Sequence, residues 1–342
     1  MKIKKNSIKD IAEANGVSVT TVSFVLNGKA EEKKISKVVT DKILKYVKKI
    51  NYRPNQIAQS LRTGKTNIIV FMVEDISNHF FAKLARIIED IAYDKGYKVL
   101  FCSNDNNDEK SLELIDLFKD RGVDGFIIIP SGGIELKIKE LISEDIPVVL
   151  FDRYFFNLDS NQVVVDNKEA SYNAMQHVIK NGYKNIGFVS TDVDQTQMLD
   201  RLQGYKNAVS EASLEQAILR IPLKHIPIDD GKKQLKNFLI NNPQLDAIYF
   251  ATNYLAINGL MVMKEDFPNY ITEKGIIAFD DIDLFKLYSP TITAVQQPLE
   301  KIATKLMDTM LNLLDSDKKS RTTVKAILNT DLIIRESTRL RS

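Results

Sequence analysis

From Asn67 onward the chain alternates short apolar runs with amphipathic stretches, and it does so twice. Runs at 68–73, 98–103, 125–130 and 148–151 read as strands, with amphipathic helices between them, such as 81–93 closed by Gly96. After a further run at 162–165 the series restarts at 186–190, 217–221, 247–251 and 275–279. This alternation builds parallel sheets with helices on both faces, and two series predict two similar lobes. Runs at 291–295 and 324–329 come late and are expected to cross back between the lobes, leaving each discontinuous.

A different pattern precedes this body. Ser7 can cap a first helix, with Asp10 at capping-box spacing in place of the usual Glu or Gln. Ile8, Ile11 and Ala12 form one apolar stripe, and Gly16 supplies the positive φ of a tight turn. Ser18 caps a second helix, in which Val22, Val25 and Leu26 face inward. Thr20, Thr21, Ser23 and Asn27 are left outside, short polar groups able to meet base edges or phosphates. A third helix from Ser36 buries Val39, Ile43, Val47 and Ile50. Three short helices around one small core is the helix-turn-helix architecture, and a plain helical hairpin is the alternative.

Charge separates the two readings. Residues 1–65 carry 15 Lys and Arg against 5 Asp and Glu, while the rest of the chain carries 32 against 40. The whole-chain net charge of +2 therefore hides a basic head on an acidic body. A basic head suits neutralisation of phosphates on double-stranded DNA.

The segment from Ile8 to Ser23, IKDIAEANGVSVTTVS, resembles the head of the LacI/GalR family of bacterial transcriptional regulators. Asn51 to Thr66, NYRPNQIAQSLRTGKT, resembles that family's hinge. The resemblance implies operator contacts from Ser7, Ser18, Val19, Thr20, Thr21, Ser23, Phe24 and Asn27 in the head. In the hinge it implies them from Tyr52, Asn55, Ala58, Leu61 and Arg62. Pro54 bars helix before it, Asn55 can cap a short run over 56–62, and so few residues hold no helix alone in water. Such a hinge helix should order with DNA and a second copy of the chain, Leu61 wedging into the minor groove, unless Leu61 packs on the sensor instead. At position 24 the family most often has an Arg that reads guanine. Phe24 forms no bidentate contact, and is left to touch a thymine methyl or to pack against the first helix.

The resemblance also implies that the body is a two-lobed, periplasmic-binding-protein-like pair of doubly wound parallel sheets. The expected divisions are a helix-turn-helix domain at 1–51, hinge and linker at 52–66, and an effector domain at 67–342. Within it the first lobe takes 67–164 and 293–323, and the second 165–292 and 324–342. Ligands in open α/β sheets bind beyond the carboxyl ends of the strands. There the resemblance places Asn78, Phe80, Phe81, Asp152, Arg201, Asn253, Asp280 and Gln297 in an effector cleft. Carboxylates, an Arg fork and amides suit sugar hydroxyls, and Phe stacks on a sugar face. Position 253 departs from the family's usual Asp, and His79 stands where Pro is common. A packed histidine is expected at 79.

The expected function is a sugar-responsive DNA-binding regulator, a repressor by family norm, acting as a homodimer in the cytoplasm without cofactor or metal. One cysteine, Cys102, makes no intrachain disulfide, and no apolar run nears the ~20 residues that span a membrane. Dinucleotide loop, phosphate loop and His-Glu-x-x-His motifs are missing, and His79, His177 and His225 lack metal-ligand spacing, so no enzyme is expected. The alternative is a helix-turn-helix head on a sugar-kinase-like body. Glu74-Asp75-Ile76-Ser77-Asn78 after the first strand would repel the phosphate such a body binds there.

Overall fold

A computed structural model of the chain describes residues 7–52, 64–226, 228–316 and 321–340. The chain forms two compact units, residues 1–66 and 67–342. The expected hinge helix, with Asn55, Ala58, Leu61 and Arg62, lies outside the described residues.

The first unit contains helices α1 (Ile8–Asn15), α2 (Val19–Leu26) and α3 (Lys37–Lys49). Asp10 closes the capping box despite its short side chain. Its Oδ2 accepts the Ser7 N–H at 2.6 Å, and Ser7 Oγ accepts the Asp10 N–H at 3.3 Å. Gly16, at φ 69°, takes the left-handed turn that ends α1. Ser18 Oγ then accepts the Thr21 N–H at 3.1 Å and starts α2. Ile11, Ala12, Val22, Val25 and Ile43 are the buried centre. Leu26, Val39, Val47 and Ile50, expected to be buried, lie half-exposed at its rim. Five side chains make a small core, so each apolar group of ~1.5–3 kcal/mol weighs heavily on the head's stability.

The second unit holds two six-stranded sheets. The first contains β1 (Ile68–Val73), β2 (Lys98–Ser103), β3 (Gly125–Ile128), β4 (Val148–Phe151), β5 (Asn161–Val165) and β11 (Lys325–Leu328), in the order β11-β5-β4-β3-β1-β2, all parallel. The second contains β6 (Ile186–Thr191), β7 (Ala217–Ile221), β8 (Ala247–Phe250), β9 (Gly275–Phe279), β10 (Thr293–Gln296) and β12 (Asp331–Ile333), in the order β12-β10-β9-β8-β6-β7. Only β12 runs antiparallel there, pairing Ala294 with Ile333. Their central strands are buried on both faces, as near-continuous apolar sequences require.

Helices cover both faces of each sheet. Helices α4 (His79–Asp94) and α11 (Leu299–Asp315) bury Leu84, Ile88, Leu306 and Met310 on the first, and α5 (Asp108–Asp120) and α6 (Glu135–Ser143) bury Ile115, Ile138 and Leu141 on its other side. On the second, α7 (Asn167–Lys180) and α8 (Thr196–Glu211) share one face, opposite α9 (Asp229–Asn241) and α10 (Asn253–Asp266). Gly204 lets α8 lie against α7, because a Cβ there would stand 2.2 Å from the Lys168 carbonyl oxygen.

The chain passes between lobes at Asp166, at Gln297-Pro298 and at Asn329-Thr330. The first and third passages are tied: Asp166 Oδ1 accepts the Thr330 N–H at 2.9 Å. This moves two expected boundaries. The run near 293–296 pairs with β9 and belongs to the second sheet, while 325–328 pairs with β5 and belongs to the first. Apolar pattern identifies a strand but carries no information on which of two sheets supplies its neighbour.

Candidate functional site

In the head, Val19 and Thr20 are exposed, as are Ser7, Ser18 and Asn27, while Thr21, Ser23 and Phe24 are half-buried. Ser18 Oγ also lies 2.9 Å from Thr21 Oγ1, and the Asn27 amide donates to the Ser23 carbonyl at 2.7 Å. These local bonds fix side chains at the start and end of α2 without burying them. Lys33 Nζ stands 5.6 Å from the centre of the Phe24 ring, and Tyr52 packs on the head's core.

In the body, the carboxyl ends of both sheets meet around a cleft of about 460 Å³ of atom-free space, part of it open to solvent. Asn78, Phe80, Phe81, Asp152, Arg201, Asp280 and Gln297 all line it. Asn253 is placed differently. It is buried at the start of α10 and spans the lobes, its amide donating to Asn78 Oδ1 at 3.2 Å. Asn78 Oδ1 also caps α4 by accepting the Phe80 N–H at 3.0 Å.

Asp152 follows β4 with φ 68°, and Asp280 follows β9 with φ 72°. That left-handed conformation turns each carboxylate into the cleft at a strand end. Burial pushes both carboxyls above their ordinary range. Arg153 and then Arg201 oppose this at Asp152, and Arg201 and the Gln297 amide oppose it at Asp280. Gln297 Nε2 donates to Asp280 Oδ1 at 2.6 Å. Arg201 is only 2% exposed. Its Nε donates to Asn167 Oδ1 at 2.8 Å, its Nη1 to the Ala251 carbonyl at 2.7 Å, and its face lies 3.5 Å from the centre of the Phe279 ring. A buried Arg held so firmly keeps its guanidinium fixed at the cleft wall.

The structure adds lining residues that the resemblance did not single out. Glu74, Arg153, Thr191, Gln195, Gln197, Thr252 and Tyr254 are the polar ones, with Val193, Met198 and Leu223 completing the wall. Arg153 Nη2 contacts Glu74 Oε2 at 2.5 Å, and its Nε lies 3.4 Å from Asp152 Oδ2. Asn106 Oδ1 accepts from Arg153 Nη1 at 3.2 Å and from Gln195 Nε2 of the other lobe at 2.5 Å. Thr191 Oγ1 and Gln197 Oε1 are buried in the cleft with no partner among the described residues. Buried polar atoms of that kind are costly unless a ligand or water meets them. The strand-end rule was the available signal. Arg153, Met198, Thr252 and Tyr254 each lie within three residues of an expected site residue, Asp152, Arg201 or Asn253.

His79 is not packed. It is exposed at the cleft rim, with Nε2 3.6 Å from Asp283 Oδ2, because the first turn of α4 points that side chain across the interlobe gap. Lys83, one turn on, meets the same carboxylate at 3.0 Å.

Two family models match the chain. One, described as bacterial regulatory proteins of the lacI family, spans residues 7–55. The other, described as periplasmic binding proteins and sugar binding domain of the LacI family, spans 66–335. The HTH-type transcriptional regulator RegA of Clostridium saccharobutylicum is 30% identical over 334 residues, which cover 97% of this chain and 99% of that protein. The Ribose operon repressor of Halalkalibacterium halodurans is 30% identical, covering 97% of each. Among solved structures, the lac repressor dimer bound to operator and the anti-inducer ONPF matches with a TM-score of 0.84 over 98% of this chain and all of that one, at 18% identity. A LacI family regulator from Enterococcus faecium with bound ribose matches with a TM-score of 0.70 over 80% of this chain and 100% of its own, at 23% identity. These structural likenesses concern the fold.

Proposed function

Because the chain belongs to the LacI family of bacterial regulatory proteins, and is thus a ligand-responsive DNA-binding transcriptional repressor, we propose that a small sugar held in the interlobe cleft sets its operator affinity. What carries this reading is the convergence of Asp152 from one lobe with Arg201, Asp280 and Gln297 from the other lobe and its crossing segment. The sugar-kinase-like alternative is unsupported. Residues 66–335 match the sugar-binding model, and β1 is followed by Glu74, an acid in the cleft wall.

In this reading Asp152, Asp280 and Gln297 accept from and donate to sugar hydroxyls, Arg201 forks to ring or hydroxyl oxygens, and Phe80 and Phe81 face an apolar side of the ring. Asn78 and Asn253 act as a pair, closing the lobes over the bound sugar. Val19 and Thr20 reach base edges, with Ser7, Ser18, Thr21, Ser23 and Asn27 around them on phosphates and bases. Phe24, Tyr52 and the hinge residues Asn55, Ala58, Leu61 and Arg62 complete the operator surface. Two copies place two heads on two half-sites as a homodimer. The protein works in the cytoplasm and performs no chemistry on its effector. Among the described residues no helix is long and apolar enough to cross a membrane.

A sugar that binds one lobe arrangement better than the other moves the population toward it, and a full switch needs ~5.5 kcal/mol of differential affinity. The test is calorimetry of the full chain with a panel of free sugars, D-ribose first because one relative is a ribose operon repressor, paired with operator gel shifts. Saturable binding of a panel sugar together with a shifted operator affinity is the expected result. Binding without any effect on operator affinity would defeat the coupling.

A further inference from the structure

The charged lining of the cleft consists of three carboxylates, on Glu74, Asp152 and Asp280, and two guanidiniums, on Arg153 and Arg201. Arg201 acts electrostatically on Asp280 and, after Arg153, on Asp152, while Arg153 meets both Glu74 and Asp152. Of these two acids it is Glu74 that takes the shorter contact, 2.5 Å against 3.4 Å. Arg153 is 3% exposed and Glu74's side chain 18%. Arg153 Nη1 donates to Asn106, while Nε, 3.4 Å from Asp152, is buried with no hydrogen-bond partner among the described residues. The Nη1 and Nη2 donors that could otherwise meet a phosphate or carboxylate on a ligand are therefore occupied from within the lobe.

We infer that Glu74 is a specificity-determining residue: by holding Arg153 it makes the cleft accept uncharged sugars and reject their phosphorylated and acidic forms. This rests on the sugar reading above. The remaining groups agree with it. Asp152 and Asp280 offer acceptor oxygens, and Gln197 Oε1 is a buried acceptor with no partner among the described residues. A surplus of acceptors fits a ligand rich in hydroxyl donors. A phosphate or carboxylate brings acceptors and negative charge into a lining that already holds more acids than bases, where like charge strongly disfavours binding. Losing the Glu74 charge would equalise the lining and free Arg153 Nη2, the donor nearest to Glu74, for an anionic oxygen of the ligand.

The experiment compares D-ribose, D-glucose and D-galactose with their phosphate monoesters and aldonic acids by calorimetry on the full chain and on Glu74→Gln. The parent should bind one free sugar and disfavour its anionic forms. Glu74→Gln should narrow that ratio at least about tenfold, the scale of one pKa unit of electrostatic difference. Glu74→Asp, which keeps the charge, should preserve the ratio. An unchanged ratio in Glu74→Gln overturns the inference, as does a parent that binds the phosphate or the acid as tightly as the free sugar. If melting curves show that Glu74→Gln does not fold, Glu74→Ser is measured in its place against the same threshold. A parent that binds none of these compounds refutes the sugar reading itself, and this inference with it. A parent that binds the free sugar beside an unmoved ratio in the variant refutes Glu74's role alone.

Discussion

In the first lobe β4 ends at Phe151, and Asp152 follows with φ 68°, its N–H reaching the Val163 carbonyl in β5 at 3.3 Å. In the second lobe β9 ends at Phe279, and Asp280 follows with φ 72°, its N–H reaching the Val295 carbonyl in β10 at 2.9 Å. The two aspartates hold the same place in the two sheet orders. Their partners differ. Asp152 has the adjacent Arg153, shared with Glu74 of the same lobe. Asp280 has Arg201 from α8 and Gln297 from a passage between lobes. A repeated fold thus supplies two carboxylates at matched strand ends, and the non-repeated segments make one group self-contained and the other dependent on how the lobes meet.

Removing Arg201 should break the comparison most severely. Arg201→Ala leaves Asp280 buried without its cation and Phe279 without its covering face, a loss on the order of 3–5 kcal/mol in sensor stability by urea unfolding, with effector binding abolished. A dose response equal to the parent's would remove Arg201 from the site. Next comes the contrast between the aspartates. Asp280→Asn should weaken effector binding on the order of tenfold, because Gln297 and Arg201 lose a carboxylate partner between them, and Asp152→Asn less, because Glu74 still holds Arg153. Equal costs would mean that the two lobes are electrostatically alike after all.

The same pair predicts a pH dependence with a definite sign. Burial raises both carboxyls, so the folded chain keeps protons that the unfolded chain releases near pH ~3.9. Their contribution to stability is full below that value and is lost as pH rises through the raised folded values. Asp280→Asn should therefore flatten the decline in unfolding free energy above pH ~4, which unfolding midpoints at a series of pH values would register. A smaller effect belongs to the bridging amides. Asn78→Ala removes the Asn253 contact and the α4 cap together, roughly 1 kcal/mol in closure, read as a several-fold weaker effector affinity.

The head was legible because its signals are local: Ser7, Gly16 and Ser18 act on residues within a turn of themselves. The strands were legible by their apolar runs, and the cleft by where those runs end. What the sequence withheld was pairing. Nothing in 325–328 states that it will join β5 rather than β10, and β12, only three residues long, is too short to stand out as a strand. Glu74 illustrates the same limit in the site. The sequence marks it as an acid that excludes phosphate, but its contact with Arg153, 79 residues away, exists only once β1 and β4 lie in one sheet.

The smallest expected effect is at the rim, where a third aspartate is paired across the lobes. Asp283 meets Lys83 of α4 and Lys286 beside it, and those ammonium groups hold its carboxyl down to about 2. A lowered carboxyl contributes stability above its unfolded value near ~3.9 and loses it as pH falls toward 2, the reverse of Asp280. Yet water surrounds Asp283, and exposed pairs are screened within a Debye length of about 8 Å at physiological salt. Asp283→Asn should accordingly leave the melting temperature within scatter and shift effector affinity only at low salt, the shift vanishing near 1 M. If it weakened effector binding as much as Asp280→Asn at any salt, closure of the lobes would be governed by their rim instead of by the buried groups between them.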